Sequence, residues 1–234
     1  MGTKGPPRGE REAGRLTESI YESLRREIID GELKLGESLS RRQIAMRFGC
    51  SYTPVVEVLL RLEHAGLVES ISHQMARVCR ISVEKIQGDY VLREALEAQT
   101  IRLACEQATS AEIDELRRLA IEVDAKLSQV RGALRAEMAE EASRLDWAFH
   151  RRLAVISRSP ALVRELDRIE TSARLKANLI AVVESDLPSR YHENVVDALE
   201  GRDPIAADAV MRAHVRKGLE RELRGYLTAQ SSNS

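Results

Sequence analysis

Asp146 and His150 stand four residues apart in DWAFHRRLA, and His192 and His214 open and close HENVVDALEGRDPIAADAVMRAH. Residues four apart on a helix project from one face, one above the other. His192 and His214 belong to two later helical stretches, each set in an otherwise apolar or small-residue pattern. Three of the five histidines therefore have the spacing to meet one aspartate at the centre of a bundle, which is how helical bundles build metal sites. The same spacing also describes an ordinary Asp/His pair on a solvated helix face, and taken alone it leaves both readings open.

A second group of residues has the types and spacing to touch DNA. In GELKLGESLSRRQIAMRFGCSYTPVVEVLLRLEHAGLV (residues 31–68), Leu39, Ile44 and Phe48 are spaced as the buried stripe of a short helix. Gly49 follows where a helix C-cap needs positive φ. Ser51 is positioned to cap the next helix, Pro54 is tolerated in its first turn, and Val55, Val58, Leu59 and Leu62 supply its core face. That leaves Tyr52, Thr53 and Val56 on the outward N-terminal side, the end of a second helix that enters the major groove in a helix-turn-helix. Arg41, Arg42 and Arg47, with Ser51, Thr53, Gln74 and Arg77, complete the candidate contacts, although a charged face is by default merely solvated.

The flanking elements must hold these residues in place. Leu16, Ile20, Leu24 and Ile28 recur every four residues and stop at Asp30-Gly31, so a first helix packs across the pair. After Ala65-Gly66, Leu67 to Ile71 and Ala76 to Arg80 read as two short strands with Ser72 to Met75 at the hairpin tip, which makes a wing. From Val83 the pattern is helix after helix: Glu84 to Gln107 with Val91, Leu92, Leu96, Ile101 and Leu103; a helix capped by Ser110; Leu134 to Ile156; Ala161 to Val183; and two more punctuated by Pro188 and Asp203-Pro204. The expected fold is mainly α: a winged helix-turn-helix of three helices plus a β-hairpin, then an all-α bundle of about six helices. The expected boundaries are a disordered tail at 1–14, the winged helix at 15–80, a linker at 81–88, the bundle at 89–228 and a second tail at 229–234.

Composition bounds the reading without deciding it. The chain has 234 residues, 43% hydrophobic and 31% charged, with a formal net charge of −1, which suits two ordinary domains. Residues 1–80 carry 13 Lys and Arg against 11 Asp and Glu, so no strongly basic domain argues for DNA independently. No apolar run approaches the roughly 20 residues of a membrane span, and MGTKGPPRGEREAG lacks a signal-peptide apolar segment, so a cytoplasmic protein is expected. Cys50, Cys79 and Cys105 are odd in number and show no CxxC spacing, which suggests reduced, semi-buried thiols rather than disulfides or a zinc–thiolate site.

Residues 15–80 resemble the winged helix-turn-helix of GntR-type bacterial transcription regulators. The resemblance rests on Ile20, Leu24-Arg25, Gly36-Glu37, Ile44-Ala45, Thr53-Pro54-Val55, Glu57, Arg61-Leu62-Glu63 and Gly66-Leu67-Val68. It departs from the family at Tyr52 and Val56, where arginines are usual, and at Met75, where the wing tip usually has glycine. These departures imply a different operator or weaker binding. Residues 89–227 resemble the FCD effector domain of the FadR branch through YVLREALE (residues 90–97), DWAFHRRLA (146–154) and the segment from His192 to His214.

That second resemblance implies that Asp146, His150, His192 and His214 are the ligands of a divalent metal. Zinc suits the set best, with nickel or manganese possible, and open coordination positions could take a small carboxylate effector. It further implies that Arg93 pairs with that carboxylate through its planar fork, although an Arg93–Glu97 surface pair fits the spacing as well, and that Arg174 and Asn178 line the pocket. Such regulators are homodimers on palindromic operators, and the expected action is effector-controlled repression, with no enzymatic activity. Two other classes stay open: a metal-dependent hydrolase or lyase, for which Glu140 and Glu141 are the spare carboxylates more than one turn from Asp146, and a metal-sensing interaction protein with a weakened DNA reader.

Overall fold

The computed structural model describes residues 8–72, 74–130, 136–177 and 187–232. Among them the chain forms, in order, α1 (Arg8–Ile29), β1 (Ser38–Ser40), α2 (Arg41–Phe48), α3 (Tyr52–His64), β2 (Val68–Ser72), β3 (Met75–Val78), α4 (Val83–Gln107), α5 (Ser110–Val130), α6 (Ala136–Ile156), α7 (Pro160–Ala177), α8 (Glu193–Glu200) and α9 (Pro204–Ser232). Two compact units are present, divided in sequence at Ile81/Ser82, with the end of α7 from Thr171 grouped with the first.

The first unit is the expected winged helix-turn-helix, with one added strand. Ile20, Leu24 and Ile28 of α1 are fully buried with Val55, Val58 and Leu62 of α3, while Leu16 remains partly exposed, so the α1 stripe begins a turn later than its spacing suggests. Each such side chain contributes about 1.5–3 kcal/mol on leaving water, which is what holds α1 across the helix pair. Gly49 ends α2 in the left-handed region at φ 61°, and the Cys50 amide donates to Ala45 O at 3.0 Å. Ser51 stands at the N-cap of α3 in extended conformation, but its side chain makes no capping bond.

Leu39 was expected on the first helix of the pair, yet it lies on β1, which pairs antiparallel with β3 in the sheet order β1-β3-β2. Three residues are too few to show alternation, and only the non-local pairing of Leu39 with Ala76 reveals the strand. β2 and β3 form the wing hairpin, with an irregularity between Ser70 and Ser72.

The second unit is the expected all-α bundle, with α4 to α9 as its six helices among the described residues. α4 packs along α9 and against α6, α5 packs on α6 and α8, and α8 packs on α9. Several expected boundaries move. Within the span 81–88, expected as a linker, Ser82 Oγ accepts from Lys85 N at 3.2 Å and α4 starts at Val83. α1 begins at Arg8, and α9 runs to Ser232, so helix enters both expected tails. The cap of α5 is Thr109 rather than Ser110: Thr109 Oγ1 accepts from Glu112 N and Glu112 Oε2 accepts from Thr109 N, a reciprocal capping box. Val91 and Leu92 of α4 are exposed, Val91 to 70%, because the helix turns Arg93 and Glu97 inward instead. The last turns expected for α7, up to Val183, lie outside the described residues.

Candidate functional site

The buried face of α4, the middle of α5 and α6, the start of α8 and the middle of α9 bring one polar cluster together inside the second unit. α6 supplies Asp146 and His150 from one face; His192 immediately precedes α8, and His214 lies on α9. All four are buried. The three histidines offer ring nitrogens within 4.8 Å of one another. His214 Nε2 is 3.3 Å from His150 Nε2, and His192 Nε2 is 3.0 Å from Asp146 Oδ1. Asp146 Oδ2 lies 4.0 Å from His150 Nε2, so all three Nε2 atoms and the carboxylate address one small volume. Nitrogens bound about 2.1 Å from a shared ion stand roughly 3.0–3.4 Å apart; the His150–His214 pair has that spacing, and the wider 4.8 Å spread of the three histidines is compatible with a divalent cation that draws them together.

Electrostatics shape this cluster. Burial alone would raise the Asp146 carboxyl, but the His192 hydrogen bond and the charges of His150, His192 and Arg93 hold it well below the usual carboxylate range. Burial drives the His214 imidazole well below its ordinary value, and His192 and His150 add to that. His214 is thus held neutral, the form a metal ligand needs. For His192 burial acts downward, but hydrogen bonds to Asp124 and Asp146 outweigh it and raise the pKa.

Two buried carboxylates absent from the expected set stand behind the histidines. Asp124 on α5 places Oδ1 2.7 Å from His192 Nδ1 and also accepts from the His192 and Glu193 amides. Glu97 on α4 places Oε2 2.5 Å from His150 Nδ1. Asp124 was legible in principle, since it falls on the buried stripe of α5 with Ala120 and Leu127; a charged residue there costs stability unless it is paired. Glu97 was hidden by its Arg93 spacing, which suits a surface pair. Arg93 and Glu97 do pair, but in the interior, with Arg93 NH2 3.7 Å from Asp146 Oδ2 and its guanidinium over the Trp147 ring at 4.5 Å. Tyr191 stacks on His214 with centroids 3.9 Å apart and donates its hydroxyl to His214 O. Arg174 lies on α7, but its side chain falls outside the described residues, as does the whole of Asn178.

The second group of candidates gathers at the helix-turn-helix and wing. Tyr52 is 57% exposed at the start of α3, Thr53 is exposed and Val56 is half-buried beside them. Arg42, Ser51 and Gln74 are exposed. The Arg41 amide donates to Gln74 O at 3.2 Å, tying the start of α2 to the wing turn. Arg47 is engaged elsewhere: its guanidinium donates to both Glu27 oxygens at 2.7 and 2.6 Å, clamping α2 to α1. Arg77 likewise pairs with Glu69 across the wing at 2.8 Å. Tyr52, Thr53 and Val56 thus form an outward edge of α3 that carries no cation.

Comparison with known proteins agrees with both units. Residues 16–78 match the family described as bacterial regulatory proteins, gntR family, and residues 90–217 match the FCD domain. The chain is 30% identical over 224 residues to the HTH-type transcriptional repressor NanR of Citrobacter rodentium, covering 86% of this chain and 83% of that protein. It is 24% identical over 204 residues to the HTH-type transcriptional repressor RspR of Escherichia coli K12, covering 86% of each. The solved structure of E. coli McbR/YncC superposes with a TM-score of 0.63 at 20% identity, over 90% of this chain and 98% of that one.

Proposed function

The chain belongs to the GntR family of bacterial regulatory proteins with an FCD domain and is a DNA-binding transcription regulator, not an enzyme; from that premise we propose that it is a repressor controlled by a metal-held organic acid. Asp146, His150, His192 and His214 hold a divalent cation, zinc fitting the donor set best and nickel or manganese also compatible. When bound, the ion supplies a Lewis-acidic anchor for a small carboxylate. The observation that carries this reading is the convergence of three buried histidines, with ring nitrogens inside 4.8 Å, beside a carboxylate held ionised. Arg93, Arg174 and Asn178 are the residues that receive the effector, with Arg93 contributing N–H groups that Glu97 does not engage.

The reader inserts the N-terminal end of α3 into the major groove. Tyr52, Thr53 and Val56 face the bases, while Arg41, Arg42, Ser51 and Gln74, with the wing arginine Arg77, lie near the phosphates. Two copies reach the half-sites of a palindrome as a homodimer, and the exposed Val91 and Leu92 on α4 support a second copy covering that face. The protein acts where the DNA is, in the cytoplasm, and among the described residues no helix is long and apolar enough to cross a membrane. The effector changes operator affinity only through unequal affinity for the DNA-competent and incompetent states.

The test is selection from fragmented genomic DNA, with and without zinc, followed by sequencing of what the protein retains. A recovered palindrome confirms the reader, and its neighbouring genes give the effector's class; no enrichment at low salt overturns the regulatory reading. His150→Ala and His214→Ala are expected to drop bound metal from about one ion per chain to near zero and to abolish the effector response. Unchanged metal content in either variant removes the site assignment.

A further inference from the structure

We propose that Asp124 and Glu97 are positioning residues that fix how the histidines present themselves to a metal, and that they set its affinity; this rests on the metal reading above. Each imidazole has two nitrogens, and only the one not carrying the proton can ligate. In the structure every Nδ1 faces an acceptor: His192 meets Asp124 Oδ1 at 2.7 Å, His150 meets Glu97 Oε2 at 2.5 Å, and His214 meets the Tyr191 carbonyl at 3.3 Å. With the protons held on Nδ1, the three Nε2 atoms are left for an ion, which would take the place of the proton between His192 Nε2 and Asp146 Oδ1, 3.0 Å apart.

Asp124 carries the stronger geometry. Its two oxygens also accept from the backbone amides of His192 and Glu193 at 3.0 and 3.1 Å. One carboxylate on α5 therefore holds the start of α8 and the ring of the ligand that precedes it. The Glu97 contact is close but poorly aligned: Glu97 Oε2 and His150 Nδ1 are buried 2.5 Å apart, and neither makes a well-formed hydrogen bond among the described residues. Glu97 is itself steadied by Arg93, which is packed over Trp147. A buried carboxylate with a second fixed partner is a rigid acceptor, and such acceptors raise ligand basicity as well as fixing the ring.

The experiment measures zinc affinity by chelator competition in the full-length protein for wild type, Asp124→Asn and Glu97→Gln. Asp197→Asn serves as the control, an exposed α8 carboxylate paired with Arg117 and Arg190. Both test variants keep an oxygen of similar position, so the metal-free melting temperature is expected to move by no more than a few degrees while zinc affinity falls about 10–100-fold. The control is expected to bind as wild type does. Nitrogen-15 spectra of the zinc-loaded wild type are expected to show His150 and His192 protonated at Nδ1 and ligated through Nε2, a readout that needs no variant to fold. Affinity within twofold of wild type in both variants, or ligation through Nδ1, overturns the proposal. Failure of wild type to take up zinc, nickel or manganese instead overturns the metal reading itself.

Discussion

Single side chains decide how much of each unit is committed before any ligand arrives. Arg47 is the clearest case: as a cation at the end of α2 it has the type and position of a phosphate contact, yet both arms of its fork are spent on Glu27. The Arg47 hydrogen bond, against the opposing effect of burial, lowers the Glu27 pKa. A carboxylate with a depressed folded pKa contributes stability that is fully present above its unfolded value and is lost as pH falls through the folded one. Glu27→Gln is therefore expected to destabilise the winged helix by about 1 kcal/mol near neutral pH, since the arginine side of the pair is half exposed. The difference from wild type should shrink as pH is taken from neutral to acid, below the ordinary carboxylate range and through the lowered Glu27 value. Urea titrations at the two pH values check this, and a difference that persists in acid would mean that packing, not the ion pair, is what Glu27 supplies.

At the scale of the element, α3 shows how one helix serves two purposes. Its inner face, Val55, Val58, Leu59 and Leu62, belongs to the core, and its outer N-terminal edge carries Tyr52, Thr53 and Val56. That edge has no group able to make a bidentate bond to guanine, whereas the methyls of Val56 and Thr53 suit the thymine methyl. Val56→Arg is expected to shift preference toward guanine at the position it faces by roughly five- to 100-fold, the equivalent of about 1–3 kcal/mol per good contact. Selection from randomised duplexes measures it; an unchanged preferred sequence would show that α3 does not present this edge to the bases. The inner face of α3 was legible from periodicity because burial repeats every three to four residues. β1 was not, because a three-residue strand has no period and exists only through β3.

For the whole molecule, the second unit gathers residues from five of its helical segments around one buried cluster, and a cation that binds only the folded arrangement must stabilise it. At free metal about 100-fold above the dissociation constant, linkage is worth about 2.7 kcal/mol, or roughly 5–10 °C in the melting of a unit of this size. Scanning calorimetry with and without a chelator is expected to show that drop in the transition of the helical unit while leaving the winged-helix transition in place. Superimposable traces would remove the metal from the account.

The order of the helices, the helix-turn-helix with its Gly49 turn, the helical bundle, and the prospect that Asp146, His150, His192 and His214 meet were all legible in the sequence alone. Each is written in local spacing or in a resemblance carried by contiguous motifs. The tertiary structure decided which of the many charged side chains face inward. Asp124 and Glu97 lie 68 and 53 residues from the histidines they meet, and Arg47 finds Glu27 across 20 residues. The reason is physical: a carboxylate has the same local helical preference whether it faces water or an imidazole. Only the packing of α4, α5, α6, α8 and α9 settles its desolvation and its partner.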